Sequence, residues 1–177
     1  ACHLSCHRRN AGSVAPAANR EQARMNEFMA VAVATALAGV RAGHGGPFGA
    51  VVVRDGKVIA RAHNRVVADR DPTAHAEMLA IRAAARKLGR FDLADCEVYS
   101  TCEPCPMCLA ALHWARVRRV CFGATRADAA AAGFDDGRLY EMLARQSAPG
   151  LELCPCDRSA CLAPFREWLG KADRVPY

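Results

Sequence analysis

The chain has 177 residues and a mass of 19.0 kDa, a length that suits one compact domain better than two. Its composition is 52% hydrophobic and 24% charged, which excludes wholesale disorder. No apolar run reaches the length of a membrane-spanning helix, and the apolar stretch at 28–40 lacks the flanks of a secretory signal. We therefore expect a soluble, unsecreted and cytoplasmic protein.

The net charge of +6 is distributed unevenly along the chain, since residues 1–24 contribute half of it. Residues 25–177 are only mildly basic, which argues against a protein dedicated to nucleic-acid binding. Residues 1–24 show no apolar periodicity and are interpreted as a loosely ordered extension, such as a tag or upstream read-through. On this hypothesis Met25 is the natural start, and 25–177 form the domain.

Apolar periodicity and turn residues predict the elements in chain order. The first are a helix over 26–40, a hairpin of strands 50–53 and 58–62 about an Asp-Gly turn, a polar loop at 65–73 and a helix over 73–88 capped by Asp71. Next come a strand at 97–100, a helix from the 102–106 turn to Trp114 and a strand at 117–122. The last are helical turns at 127–132 and 138–145, a short fifth strand at 151–153 and a helical turn at 165–169. A hairpin followed by strand–helix alternation predicts an α/β fold, with a mixed sheet and helices on both faces.

Two motifs at the centre of the sequence carry the chemistry. They are His-Ala-Glu at 75–77 and Pro-Cys-Pro-Met-Cys at 104–108. Cys105 and Cys108 are three residues apart at the start of a predicted helix, so their sulfurs face the same way and the helix dipole favours the thiolates. With His75 they supply the three protein ligands of a catalytic zinc site, whose fourth position belongs to water.

Glu77 lies two residues beyond His75, where its carboxylate can take a proton from that water and pass it on to a ring nitrogen and a departing amine. H-x-E followed by P-C-x-x-C is the signature of zinc nucleobase deaminases, in which the Glu is not a ligand. Two alternatives stay open at this point. One is an ordinary polar turn beside a structural Cys-x-x-Cys element, and the other is an iron–sulfur run from Cys102 that would need a cysteine at Leu112.

The chain holds ten cysteines, and those outside the central motif are less informative. Cys154, Cys156 and Cys161, with Cys2 and Cys6 near the other end, could form a second metal site. Their spacing matches no standard zinc finger, so free thiols are the simpler interpretation.

The motifs resemble the cytidine-deaminase-like zinc superfamily. The segments at 46–50, 71–77 and 100–104 are shared with tRNA adenosine deaminases, whereas those at 113–116 and 128–136, with the terminal Tyr177, resemble small bacterial guanine deaminases. The resemblance runs from about Met25 to Tyr177. It implies a three-layer α/β/α fold around a mixed, five-stranded sheet.

The resemblance also implies roles for individual residues. His75, Cys105 and Cys108 would bind Zn²⁺, with Glu77 as the proton shuttle. The substrate-binding residues would be Phe48, Asn64, Trp114, Asp136 and Tyr177, the last contributed to the partner's site by a C-terminal segment swapped between the subunits of a homodimer. From the residues alone, Asn64 is equally a turn residue, Phe48 and Trp114 core residues, Asp136 a helix cap and Tyr177 a frayed terminus.

The activity implied is zinc-dependent hydrolysis of guanine to xanthine and ammonia, with related aminated heterocycles as further substrates. Alternatives are a tRNA adenosine deaminase, a deaminase of guanosine or another nucleoside, and a non-enzymatic protein that keeps zinc as a structural staple. The mild charge of the domain argues against RNA as the substrate. The presence of Glu77 and an open fourth ligand position argue against a purely structural zinc.

Overall fold

The computed structural model describes residues 17–134, 136–145, 156 and 158–175. In chain order the helices and strands are α1 (Ala17–Arg41), β1 (Gly49–Arg54), β2 (Lys57–His63), α2 (Val66–Asp69), α3 (Ala76–Leu88), β3 (Cys96–Cys102), α4 (Pro106–Trp114), β4 (Arg119–Ala124), α5 (Arg126–Ala131), α6 (Gly137–Arg145), α7 (Arg158–Cys161) and α8 (Ala163–Gly170). The predicted elements up to β4 are present, with their bounds shifted by a few residues except at the start of α1. The polar loop predicted at 65–73 contains the short helix α2.

The strands form a mixed sheet in the order β2-β1-β3-β4. β1 pairs antiparallel with both β2 and β3, whereas β3 and β4 are parallel because α4 crosses over between them. Within the described part of the chain the sheet has four strands rather than the expected five. The predicted fifth strand, at 151–153, lies outside the described residues.

Alternation along β1 places two apolar layers on opposite faces of the sheet. Ala50 and Val52 belong to the core cluster that contains the buried residues of α3 and α4. Val51 and Val53 pack with Phe28 of α1 on the other face. The sheet is thus the middle layer of an α/β/α arrangement, which confirms the predicted fold class.

The first helix extends further towards the N-terminus than the sequence predicted. It begins at Ala17, so residues 17–24, expected to be loosely ordered, are helical. Glu21 in this stretch forms a 2.9 Å ion pair with Arg119 of β4, which ties it to the sheet. Among the described residues, no helix combines the length and apolar character that crossing a membrane requires.

The start of α3 also differs from the prediction that Asp71 caps it. The Asp71 carboxylate instead accepts hydrogen bonds from the backbone amide and hydroxyl of Thr73, both at 2.7 Å. Because the Asp71 carboxylate is engaged in this local turn, it does not cap the helix. The helix therefore begins at Ala76, with His75 as its N-cap. Cys105 is likewise the N-cap of α4, and the first turns of both helices meet next to the carboxyl end of β3.

Candidate active site

Three potential metal ligands converge where α3 and α4 begin. His75 Nδ1 lies 3.7 Å from Cys105 Sγ and 3.6 Å from Cys108 Sγ, and the three donor atoms lie within 4.8 Å of one another. Tetrahedral zinc, with Zn–N near 2.1 Å and Zn–S near 2.3 Å, requires nitrogen and sulfur ligands about 3.6 Å apart. The donor set and its spacing therefore fit zinc.

The surroundings of Cys105 favour ligation, whereas the hydrogen bond with Cys105 and burial raise the pKa of the Cys108 thiol. Cys105 is at the N-terminus of α4, where the helix dipole stabilises a thiolate. The pKa of the Cys105 thiol is held well below its usual range, chiefly by a hydrogen bond from Cys108 and then by one from His75. Cys108 itself is fully buried. Cys105 is therefore predisposed to meet a cation as the thiolate, the form that ligates metals.

Glu77 lies in the first turn of α3, beside the candidate metal ligands, and its carboxylate is oriented by two contacts. Ser100 Oγ donates to Oε1 at 2.9 Å, and Cys108 Sγ lies 3.6 Å from Oε2. Burial raises the pKa of the Glu77 carboxyl, because the charged form loses hydration. A carboxyl whose pKa is raised towards neutrality suits a group that must both accept and return a proton.

A cavity of about 450 Å³ opens in front of these residues, within the size range of small-molecule sites. His75, Glu77 and Cys105 form its reactive end. One wall is an edge-to-face pair of Phe48 and Phe134, whose ring centroids are 5.0 Å apart. The other lining residues are Gly46, Asn64, Val66, Val67, Cys102, Glu103, Arg126, Ala129, Gly133, Asp136 and Leu139.

Asn64 follows β2 directly and is 5% exposed. Its Oδ1 accepts hydrogen bonds from the backbone amides of Gly46 and Val66, both at 3.2 Å. Since the oxygen is occupied by the backbone, the amide is held in one orientation and Nδ2 is the end with donors to offer. The structure thus brings Asn64 to the cavity as a hydrogen-bond donor.

Comparison with known proteins agrees with this geometry. Residues 22–124 match the model of the cytidine and deoxycytidylate deaminase zinc-binding region. The chain is 45% identical over 154 residues to guanine deaminase from Bacillus subtilis (strain 168), a match that covers 85% of this chain and 97% of that protein. The chain belongs to the guanine deaminase family.

Solved structures support the same assignment. The crystal structure of the guanine deaminase from Bacillus subtilis superimposes with a TM-score of 0.81 at 44% identity, covering 86% of this chain and 98% of that one. A guanine deaminase from Nitrosomonas europaea gives a TM-score of 0.56 at 35% identity, covering 77% and 78% of the two chains. The tRNA-specific adenosine deaminase of Aquifex aeolicus (strain VF5) is 51% identical, but over only 78 residues, 44% of this chain and 52% of that protein.

The three remaining residues predicted to bind substrate differ in where they lie relative to the cavity. Asp136 is half-buried, lines the cavity and immediately precedes α6. The single chain does not bring Trp114 to the cavity. Its side chain is 59% exposed and lines a separate groove. Trp114 follows the inward-facing Cys108 by six residues, a rotation of about 240° around the axis of α4, so the two side chains point in different directions. Tyr177 lies outside the described residues.

Several residues that contact the site were not assigned roles from the sequence. Ser100, which orients Glu77, and Phe134, which faces Phe48, both lie within motifs that the sequence singled out. Glu103 Oε2 accepts a hydrogen bond from the backbone amide of Arg126 at 3.1 Å, and this joins the metal-binding turn to α5. Such long-range pairings leave no periodic signal in a sequence.

Among the described residues, the cysteines outside the candidate ligand cluster form no second metal site. Cys102 is buried and lines the cavity without joining the ligand cluster. Cys156 and Cys161 are exposed free thiols, and Cys154 lies outside the described residues. Within the described ranges, His75, Cys105 and Cys108 form the one group of His, Cys, Asp or Glu side chains close enough to hold a metal.

Proposed function

We propose that this protein hydrolyses guanine to xanthine and ammonia, using zinc held by His75, Cys105 and Cys108. The observation that carries the proposal is the extent of similarity to the guanine deaminase of Bacillus subtilis, which covers 97% of that protein. A match of this extent runs past residue 124, the end of the zinc-binding region, into the segment that includes Phe134 and Asp136. The cavity lining contributed by that segment supports the same substrate.

The tRNA adenosine deaminase alternative is less well supported. Relatives of that kind match over 78 residues, less than half of this chain. Deamination of a nucleoside is tested by including guanosine in the substrate panel.

Glu77 is the residue that we expect to transfer protons between water and the purine. Bound zinc lowers the pKa of a water molecule to about 7 and so provides a nucleophile at neutral pH. Glu77 would accept a proton from the attacking water and deliver it to a ring nitrogen, while the water oxygen bonds to the carbon that bears the amine. Glu77 would then take the second proton from the hydroxyl added to that carbon and deliver it to the amine, so that the carbon–nitrogen bond breaks, ammonia leaves and a carbonyl remains. One water is consumed, and the carboxylate returns to its starting state.

The substrate-binding roles are proposed for residues at the cavity walls. Asn64 Nδ2 would donate to an acceptor on the purine, since its Oδ1 is held by the backbone. Phe48 and Phe134 offer ring surfaces to a planar base. Asp136 would accept hydrogen bonds from the amino side of guanine. These roles are consistent with a cavity that is largely apolar, with a few convergent polar groups.

The proposal includes a homodimer in which the C-terminal segments are exchanged and Tyr177 completes the partner's site. Support comes from α8, which exposes Phe165 and Leu169, each at 65%, in the described chain. Apolar side chains of this size on a short terminal helix are typical of a surface that packs against a partner. Mixing inactive Glu77→Gln subunits with inactive subunits truncated before Tyr177 tests the exchange. Partial recovery of activity supports it, and no recovery after subunit exchange argues against it.

A reducing, cytoplasmic setting is also proposed. It is supported by the seven cysteines of the described residues, all of which are free thiols, including buried Cys96 and Cys102. Thiols persist in this form where glutathione and thioredoxin keep them reduced.

The decisive experiment is a substrate panel with ammonia release as the readout. Purified, zinc-loaded protein is incubated with guanine, guanosine, adenine, cytosine, an aminotriazine and a tRNA anticodon hairpin, with Glu77→Gln protein as the blank. Turnover of guanine well above the others supports the proposal. Turnover of the tRNA hairpin without guanine turnover would replace it with the tRNA alternative.

A further inference from the structure

Arg126 is a charged residue of the cavity wall that takes no part in the proton transfers. It is the first residue of α5, two positions beyond the end of β4, and it lines the cavity. Among the described lining residues it is the one arginine or lysine, whereas Glu77, Glu103 and Asp136 are acidic. The wall therefore combines acceptors for the N–H groups of a ligand with one cationic donor.

The backbone of Arg126 is fixed next to the metal-binding turn. β3 and β4 are parallel, and Cys102 pairs with Ala124 where the two strands end. Beyond this pair the amide of Glu103 donates to Ala124 O at 2.8 Å, and the amide of Arg126 donates to Glu103 Oε2 at 3.1 Å. The carboxyl ends of parallel strands are a common place for ligands in α/β sheets. Arg126 thus begins at the same edge of the sheet as Cys105.

The side chain of Arg126 is held by an aromatic ring of the neighbouring helix. Its Cζ lies over the ring of Tyr140 in α6, 4.9 Å from the ring centroid. This cation–π contact restricts the directions that the long side chain adopts. A guanidinium has five N–H donors and no acceptor, so donors remain for a ligand. The ion pairs among the described residues include no carboxylate partner of Arg126.

The place of Arg126 in the cavity determines which part of a base it can meet. Arg126 is exposed, whereas Glu77 and Cys108 at the reactive end are buried, so Arg126 lies at the open end. A guanine whose amine-bearing carbon, C2, is at the reactive end turns its O6 and N7 edge towards the rest of the cavity. Both atoms are acceptors, and arginine donating to O6 and N7 is the commonest specific contact to guanine in DNA recognition.

We propose that Arg126 is a specificity-determining residue, which donates hydrogen bonds to the O6 and N7 edge of guanine from the mouth of the cavity. A purine with an amino group in place of O6 would set donor against donor, so Arg126 disfavours it. The inference rests on the proposed function for the orientation of the base. It adds a charged donor to the one that Asn64 offers.

Two purines that differ at C6 test this contact. Guanine and 2-aminopurine both carry the amine at C2, but 2-aminopurine has hydrogen in place of O6. Ammonia release from each is measured with zinc-loaded wild type and Arg126→Met, and the ratio of the two kcat/KM values is compared. Arg126→Met should lower the guanine to 2-aminopurine ratio about tenfold, the loss expected for one hydrogen bond from a charged group. Differences in the intrinsic reactivity of the purines are common to both proteins and cancel.

The control variants separate this contact from general effects of charge and structure. Arg138→Met removes the same charge from an exposed residue of α6 that does not line the cavity, so its ratio should equal that of the wild type. Tyr140→Leu should lower the ratio about threefold, because the guanidinium loses its aromatic support, and Tyr140→Phe should preserve it. A fall in kcat/KM that is equal for both purines in Arg126→Met, or a lower ratio in Arg138→Met, would overturn the proposal.

Equilibrium binding keeps the test independent of turnover. Dissociation constants of guanine and 2-aminopurine are measured on zinc-loaded Glu77→Gln protein, with and without Arg126→Met, and guanine should lose about tenfold more affinity than 2-aminopurine. Guanine turnover with an unchanged ratio would overturn the role of Arg126 and leave the proposed function intact. Absence of guanine turnover in the wild type would overturn the proposed function, and the binding ratio would then decide the role of Arg126. Absence of guanine binding would overturn both.

Discussion

Ser100 and Glu77 are joined by a buried hydrogen bond of 2.9 Å between the end of β3 and the first turn of α3. Ser100 is 1% exposed and Glu77 is 5% exposed, so water does not compete for the contact. The bond fixes which oxygen of Glu77 faces the metal ligands. A strand residue with no direct contact to substrate thus orients the proposed proton shuttle.

Ser100→Ala should reduce kcat for guanine about tenfold, because the carboxylate loses a buried donor that holds its orientation. KM and zinc content should change little, since the cavity walls and the ligands are untouched. Steady-state kinetics with zinc analysis of the same preparation checks this. A wild-type kcat would show that the hydroxyl is dispensable.

Glu77→Gln should retain zinc and lose turnover by about 10²–10⁴-fold, the usual contribution of a positioned acid–base group. The amide can still accept the Ser100 hydrogen bond but cannot carry a proton between water and the purine. Zinc stoichiometry and guanine binding are measured alongside ammonia release. Substantial residual turnover in zinc-loaded Glu77→Gln would contradict the shuttle role.

Cys105→Ala should abolish zinc binding and lower the melting temperature, since a ligand is lost and metal binding is coupled to folding. Cys102→Ala is the matched control, because Cys102 lines the same cavity but is not in the ligand cluster. It should keep a full complement of zinc. Metal analysis and thermal denaturation measure both effects, and equal zinc loss in the two variants would argue against the assigned ligands.

Phe134→Ala should raise KM for guanine about three- to tenfold, the range expected for loss of one aromatic contact. The same change removes the edge-to-face partner of Phe48. Phe122→Ala is a suitable control, since Phe122 is a similarly exposed aromatic on β4 and does not line the cavity. If both variants bind guanine equally well, Phe134 has no part in recognition.

The free energy of unfolding should fall with pH below about 6.5, in part through His63. The pKa of His63 is lowered in the folded state, so the unfolded chain takes up the proton more readily. The stabilising contribution is therefore present above the unfolded pKa and is lost as the pH falls towards the folded one. Denaturant unfolding at several pH values should show a shallower dependence for His63→Gln, and an identical dependence would refute this origin.

The clustering of His75, Cys105 and Cys108 with Glu77 was predictable from the sequence because their spacing is itself the chemical signal. Cys105 and Cys108 share a helix face whatever surrounds them, and Glu77 is bound to follow His75 into the next helix. The position of Asn64 at the end of β2 follows from the Asp-Gly turn, but its role in binding was implied by the resemblance. The Trp114 assignment depended on resemblance alone, and the helical phase of α4 turns that side chain to the surface of the chain.

The sequence by itself determined the candidate reacting groups, the α/β class and the order of its elements, because these follow from local spacing, periodicity and turns. Tertiary structure alone decided which distant residues support them. Ser100 reaches Glu77 across 23 residues, Phe134 meets Phe48 across the cavity, and Arg126 of α5 lies over the ring of Tyr140 in α6. Such pairs are brought together by sheet register and layer packing, which depend on the whole chain at once and leave no local pattern to detect.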